Sequence, residues 1–258
     1  MATSGYALVT GASRGIGRRF AHALAARSRN LILVARSAED LGQLAEELRA
    51  QHGVDVVVVE ADLAEPGAAV GVARTVLDRQ LELDLLVNNA ALVDHGGFVE
   101  LSAEAHSHAI RLNVLALVEL THELVPSMMD RRRGGIINVS SISAFQPMPY
   151  FAVYAATKAF VTSFSLALAE EMRPFDVAVV TLCPGPTRAD SHDDSDFRSK
   201  VPPQPADEVV AAALDQVDRK GGMLIPRLIN KTLVFGNRFL PYELSAKIAG
   251  RAMRPRDQ

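Results

Sequence analysis

Short apolar runs rich in β-branched residues alternate with longer amphipathic segments along this 258-residue chain, and no other sequence feature narrows the fold so far. The pattern reads as repeated βαβ units, in which each helix carries the chain back across a parallel sheet. Strands are expected at Tyr6 to Thr10, Asn30 to Ala35, Asp55 to Glu60, Leu83 to Asn88, Gly135 to Ser140, Val177 to Leu182 and Met223 to Pro226. Helices are expected near Gly15 to Ser28, Ala38 to His52, Pro66 to Gln80, Ala103 to Arg132, Tyr150 to Arg173 and Ala206 to Arg219. Runs such as Val56 to Val59 are apolar at every position, as suits strands covered by helices on both faces. Right-handed crossovers then favour a doubly wound, seven-stranded parallel α/β sheet of Rossmann type over a barrel. Gly53 and the pair Gly134 and Gly135 are expected to stop helices, and Ser102 to cap one.

Residues 1–226 thus read as one layered domain, long enough to bury a core without disulfides or metal. Two segments break its rhythm. Residues 187–205 are polar, with Asp190, Asp193, Asp194 and Asp196 before Pro202, Pro203 and Pro205, and read as a mobile loop beside a substrate. Residues 227–258 mix Leu228, Ile229, Leu233, Phe235, Phe239 and Leu240 with Arg227, Lys231, Arg238, Lys247, Arg251, Arg254 and Arg256. This basic amphipathic extension is read as a structural or interface element in preference to a membrane-surface contact, because Gly236 and Pro241 interrupt its apolar stripe.

The formal charge of -3 gathers no polyanion, so nucleic-acid binding is not expected. The single cysteine, Cys183, cannot form an internal disulfide and follows an apolar run, where a buried thiol is the simplest role. The first residues lead into a strand without a basic and then apolar leader, and no uninterrupted apolar run reaches the ~18 residues of a membrane span. A cytoplasmic location is the expectation. No metal site is expected either, since His192, Asp193 and Asp194 have no second set of ligands beside them.

The first strand runs into Thr10-Gly11-Ala12-Ser13-Arg14-Gly15-Ile16-Gly17, a glycine-rich turn that opens a helix. Small residues let a phosphate approach the backbone, and a helix N-terminus offers it N–H groups, so a dinucleotide pyrophosphate is expected across Gly11, Ser13, Arg14, Gly15, Ile16 and Gly17. Strand two ends at Ala35-Arg36-Ser37, where an acceptor for a ribose 2'-hydroxyl would ordinarily be acidic. Arg36, with Arg14 and the Ser37 hydroxyl, suits a 2'-phosphate, so the preferred cofactor is NADP(H).

Tyr154 and Lys158 lie four residues apart and share one helix face. An ammonium there is expected to favour tyrosinate and bring the phenol into use as an acid or base. Ser141 closes strand five at the carboxyl edge of the sheet, the edge where open α/β folds bind ligands.

With these residues in view, the chain resembles the short-chain dehydrogenase/reductase family over roughly residues 5 to 226. Thr10 to Gly17 resembles its T-G-x-x-x-G-x-G loop, Asp62-Leu63 its adenine-contacting pair, and Asn88-Asn89-Ala90-Ala91 its N-N-A-G stretch. Asn113 resembles its helix asparagine, Ser141 its active-site serine, Tyr154 with Lys158 its Y-x-x-x-K pair, and Pro184-Gly185 its nicotinamide-contacting turn. The resemblance implies hydride transfer between nicotinamide and a carbonyl or alcohol. Tyr154 would be the general acid/base, Ser141 would hold the substrate oxygen, Lys158 the nicotinamide ribose, and Asn113 a water relay. Asn89 and Ala90 would join the cofactor contacts.

Two positions depart from the pattern. Ala91 replaces a glycine, and Ala189 stands where many members carry a threonine for the carboxamide; Thr187 is the substitute considered. The resemblance also implies a homodimer or homotetramer built on the helices carrying Asn113 and Tyr154. Phe145, Met148, Tyr150, Phe151 and Ala91-Leu92-Val93 suggest a small-molecule substrate with an apolar portion, and His95 reads as a loop residue. Reduction of an imine or activated C=C bond, and a non-catalytic NADPH-binding regulator, are the competing readings.

Overall fold

The computed structural model describes residues 5–188 and 202–254. Strands β1 (Tyr6–Thr10), β2 (Asn30–Ala35), β3 (Val56–Glu60), β4 (Leu83–Asn88), β5 (Gly134–Val139) and β6 (Val177–Leu182) are joined by a last strand, Gly222–Leu224. Two short strands precede that last one, β7 (Thr187–Arg188) and β8 (Gln204–Pro205), so it is β9. The main sheet has the order β3-β2-β1-β4-β5-β6-β9, and every neighbouring pair is parallel. This is the doubly wound seven-stranded sheet expected of the chain.

Alternate residues of each strand feed two cores, which is why the strands are apolar throughout. Ala7, Val9, Leu31 and Leu33 pack on one face with Phe20 of α1 (Gly15–Ala26), Leu41 and Leu44 of α2 (Ala38–His52) and Val209 of α7 (Ala206–Asp218). Leu8, Ile32, Leu86 and Ile136 pack on the other with Val72 of α3 (Ala68–Asp78) and Leu120 and Leu124 of α5 (Ala116–Arg131). Helix α6 (Ala152–Met172) covers β5 and β6 on that second face. By length and composition α6 could cross a membrane, with a mean hydropathy of 1.3 over its most apolar window, yet its inner side buries Thr157, Lys158, Thr162 and Ser165.

Several boundaries differ from the sequence expectation. The segment from Ala103 is not one helix: α4 (Ala103–Ile110) gives way to a π-turn at Arg111–Leu115 before α5 begins. Gly134 and Gly135 do not stop that helix but start β5, because Arg132 itself takes the left-handed conformation and accepts the turn. Gly53 does adopt the left-handed C-cap of α2, and Ser102 caps α4 by accepting from the Ala105 N–H at 3.1 Å. The last sheet strand is shorter than expected and ends at Leu224. The 187–205 segment is tied at its base by β7 and β8, which pair in parallel. Ala189, the aspartates at 190, 193, 194 and 196, and His192 lie outside the described residues, as does Arg256. From residue 227 the chain forms two helices, α8 (Leu228–Asn237) and α9 (Tyr242–Met253).

Candidate active site

The strand order reverses between β1 and β4, and the crevice at such a switch point is where an open α/β sheet takes its ligand. Thr10, the last residue of β1, ties the two strands together there. Its hydroxyl accepts from the Asn89 and Ala90 N–H groups at 2.9 and 3.0 Å, and the Asn89 amide donates back to the Thr10 carbonyl at 2.8 Å. Gly11 and Gly15 both sit at positive φ, and nothing stands within 4 Å of where a Gly15 side chain would begin. A side chain on Gly17 would collide with the Gly11 carbonyl and come within 2.6 Å of Asn89 Nδ2. Glycines therefore leave the turn without side chains where α1 begins, the N-cap residue Arg14 makes no capping bond with its own side chain, and Arg14 stands exposed. Ser13 and Ile16 complete the turn. This geometry fits an anion such as a pyrophosphate.

Arg36 is exposed, with Nη1 3.9 Å from Asp62 Oδ2, and the same Asp62 accepts from the Ala64 N–H at 3.0 Å. Leu63 is buried beside it. The Ser37 hydroxyl has a role that the sequence reading did not assign: it caps α2 by accepting from the Asp40 N–H at 3.2 Å. The strand-two edge thus offers a guanidinium and a hydroxyl, with the Arg36 charge partly matched by Asp62.

On the far side of the crevice, Ser141, Tyr154 and Lys158 gather at the carboxyl end of β5. Ser141 is 8% exposed, and its hydroxyl accepts from the Ser143 N–H and donates to the Ser143 hydroxyl, both at 3.1 Å. Lys158 is 3% exposed, and its ammonium donates to the Val139 carbonyl at 2.8 Å. That ammonium lies 5.8 Å from the centre of the Tyr154 ring.

These surroundings overturn the expected direction of the phenol's shift. Burial raises the Tyr154 pKa above its ordinary value, while hydrogen bonding with Ser141 pulls the other way. Burial also pushes the Lys158 ammonium down to about 8. Both effects have one cause, since a desolvated site disfavours whichever form is charged. Near neutral pH the pair is therefore a protonated phenol beside an ammonium.

Asn113 lies within the π-turn and is 2% exposed. Its Oδ1 accepts from the Leu92 N–H at 2.8 Å, and its Nδ2 donates to the Leu92 carbonyl at 2.9 Å and to Thr157 Oγ1 at 3.1 Å. The side chain of Asn113 thus also holds the loop after β4 against α6. Pro184 and Gly185 meet the Ser141 turn, where the Ile142 N–H donates to the Pro184 carbonyl at 3.0 Å. Thr187 points back into this turn and donates to the Gly185 carbonyl at 2.9 Å.

Three residues at this end escaped sequence reasoning. Gln204 is buried, donates to Thr187 Oγ1 at 3.3 Å, and leaves its own Oε1 without a partner among the described residues. Asn230 is buried beneath Gly185, so that a side chain there would lie 2.6 Å from the Asn230 amide, and its Oδ1 is likewise unpartnered. Asp94 Oδ2 is buried without a partner in a cleft that Phe98, Leu101, Tyr150, Phe151 and Tyr154 also line. A hydrophobic-to-polar break in a loop was the only sequence signal for any of them. His95 stacks on Phe151 at 4.5 Å and bonds to the Met253 carbonyl, which makes it part of the cleft wall.

Known proteins with the same pattern agree with the geometry. The family model for short chain dehydrogenase matches residues 5–198. A very-long-chain 3-oxoacyl-CoA reductase of Laccaria bicolor is 35% identical over 177 residues, which are 67% of this chain and 52% of that protein. A short-chain dehydrogenase from Sphingobium yanoikuyae, solved in complex with NADPH, is 34% identical with a TM-score of 0.81, covering 91% of this chain and 93% of that one. The bulky-bulky ketone specific alcohol dehydrogenase from Comamonas testosteroni is 30% identical with a TM-score of 0.80, covering 92% of each chain. The chain spans 52 to 64% of the length of the curated relatives it matches.

Proposed function

The chain belongs to the short-chain dehydrogenase family, and from that membership we propose that it is an NADP(H)-dependent reductase of bulky, largely apolar ketones. The observation that carries this reading is the meeting of Ser141, Tyr154 and Lys158 at the carboxyl end of β5, across the switch-point crevice from a glycine turn. Gly11, Ser13, Arg14, Gly15, Ile16 and Gly17 would hold the pyrophosphate, Arg36 and Ser37 the 2'-phosphate, and Asp62 with Leu63 the adenine. Asn89, Ala90, Pro184, Gly185 and Thr187 would border the nicotinamide end. Bound there, the dinucleotide supplies or accepts the hydride.

The protein's own share is proton control. Because burial raises its pKa, Tyr154 keeps its proton at neutral pH and can give it to the carbonyl oxygen that Ser141 holds. The tyrosinate left behind gains from the Lys158 ammonium, whose field favours the product of that transfer rather than the starting phenol. Asn113 is a positioning residue, fixing the loop at Leu92 and, through Thr157, the turn of α6 between Tyr154 and Lys158. The proposal of a bulky ketone rests on the apolar cleft beside Tyr154 and on the two relatives whose names specify a bulky ketone and a very-long-chain 3-oxoacyl thioester. We further infer a homodimer packed through α5 and α6, with residues 1–226 as the catalytic domain.

Initial rates on a panel of bulky ketones, with NADPH and NADH in parallel, test the reading. NADPH is expected to be preferred, and Tyr154→Phe to cost about 10²–10⁴-fold in turnover while NADPH binding by fluorescence is kept. Full turnover by Tyr154→Phe would sink the mechanism, and a preference for NADH would sink the assignment of Arg36.

A further inference from the structure

Helices α8 and α9 are built inside out. In a helix laid on a core, large apolar residues face inward and polar ones outward. In α8 the inward positions, spaced i, i+4 and i+7, are Asn230, Val234 and Asn237, with Asn230 buried and the Asn237 amide bonded to Gln146. The outward positions Leu228 and Phe235 are 75% and 63% exposed, Phe239 just past the helix is 72% exposed, and Ile229 and Leu233 stand out beside them. Helix α9 repeats the inversion: Ser245 and Ala249 are buried, while Leu244 and Ile248 face out. Inverted amphipathicity over two consecutive helices leaves an apolar surface that stands exposed among the described residues.

Charge identifies what covers it. Residues 227–258 carry seven Lys and Arg against Glu243 and Asp257, a net +5 in a chain whose total is -3. Lys231 and Arg238, seven residues apart, run along one flank of the exposed Phe235 and Phe239, and Lys247 and Arg251 lie among Leu244 and Ile248. None of these four cations makes an ion pair among the described residues. Apolar side chains at the crest with basic ones on the flank, long enough to reach upward, make the arrangement that lets a helix lie in the plane of an anionic bilayer. A second copy fits less well, because a two-fold contact through this face would set the same cations against each other.

We propose that the outer face of α8 and α9 docks on an anionic lipid surface. Docking there places the substrate cleft at the bilayer, because the same segment walls it: Met253 packs with Met148, Phe151 and Tyr154, and Arg254 donates to the Tyr150 hydroxyl at 3.2 Å. The sequence alone favoured a packing role for this extension; the asparagines on its inner face are what change the reading. It stands or falls independently of the reaction proposed above.

Cosedimentation of the full chain with vesicles of phosphatidylcholine, alone or mixed with phosphatidylserine, tests it. Binding is expected to the mixed vesicles only, weakening with salt and by about five-fold for each charge removed in Lys231→Gln and Arg238→Gln. The double variant Phe235→Ser/Phe239→Ser is expected to abolish binding while its circular dichroism and thermal midpoint stay those of the parent. Three results would each overturn the proposal: a parent chain that ignores anionic vesicles, binding untouched by the Phe substitutions, or a parent oligomer in solution that those substitutions dissociate.

Discussion

Lys158 shows how a single buried cation shapes the chain. Its ordinary pKa of 10.5 falls to about 8 because burial strips the ammonium of water, and the one hydrogen bond to the Val139 carbonyl does not restore it. The linkage has a definite sign. Below pH 8 the lysine is protonated in both folded and unfolded chains, so its cost to folding is constant. Between 8 and 10.5 the unfolded chain binds the proton more tightly, and stability contributed by this residue rises with pH. Cys183 works in the opposite sense, since burial pushes its thiol from 9 up to about 11 and the unfolded thiol ionises first. The interval from pH 8 to 9 therefore isolates the lysine. Urea unfolding across it is expected to show the parent gaining about 1 kcal/mol relative to Lys158→Met. A parallel course for the two proteins would mean that Lys158 is hydrated, and the reading of the Tyr154 environment would fail with it.

The element that departs furthest from expectation is the helix broken at Arg111–Leu115. A π-turn changes no composition and interrupts no apolar period, so the sequence reads through it, but it places Asn113 where one side chain reaches both the Leu92 backbone and Thr157. Removing that amide strands a buried N–H and a carbonyl of Leu92. Asn113→Ala is expected to cost about 1–3 kcal/mol in urea or thermal unfolding. Asn113→Asp, which keeps the acceptor for the Leu92 N–H but turns a buried carboxylate oxygen towards the Leu92 carbonyl and Thr157 Oγ1, should cost at least as much as Asn113→Ala; equal stability of all three proteins would remove the clamp from the account. The same contrast explains what was legible elsewhere. Strands β1 to β6 announce themselves because burial on both faces makes them continuously apolar, and the glycine turn and the Tyr154–Lys158 spacing are local patterns. The direction of the Tyr154 shift, the buried amides of Gln204 and Asn230, and the inverted faces of α8 and α9 were not legible, since each depends on partners far away in the chain.

At the scale of the whole molecule, two uncovered apolar surfaces differ in a way that separates their partners. The face on α8 and α9 is fringed with cations. The outer face of α6 has none: Ala152, Ala156, Ala159, Phe160, Ser163, Leu166 and Ala167 stand exposed in succession, with Phe164 stacked on Phe160 at 6.0 Å. Close by in sequence to the π-turn, Ile110 and Leu115 are exposed as well. Small residues let two helices approach closely, and the stripe from Ala152 to Ala167 carries no charge until the exposed Glu170, so little repulsion arises when a two-fold axis sets it against its own copy. A stable pairing needs roughly 800 Å² from each partner, so α5 is expected to contribute alongside α6. The parent chain is accordingly expected to sediment as a dimer at micromolar concentration. Phe160→Asp puts an unpaired carboxylate at the centre of that contact and should give a monomer with a lower thermal midpoint, while leaving vesicle binding through α8 and α9 unchanged. A parent that sediments as a monomer, or a Phe160→Asp variant that stays dimeric, would remove α6 from the interface.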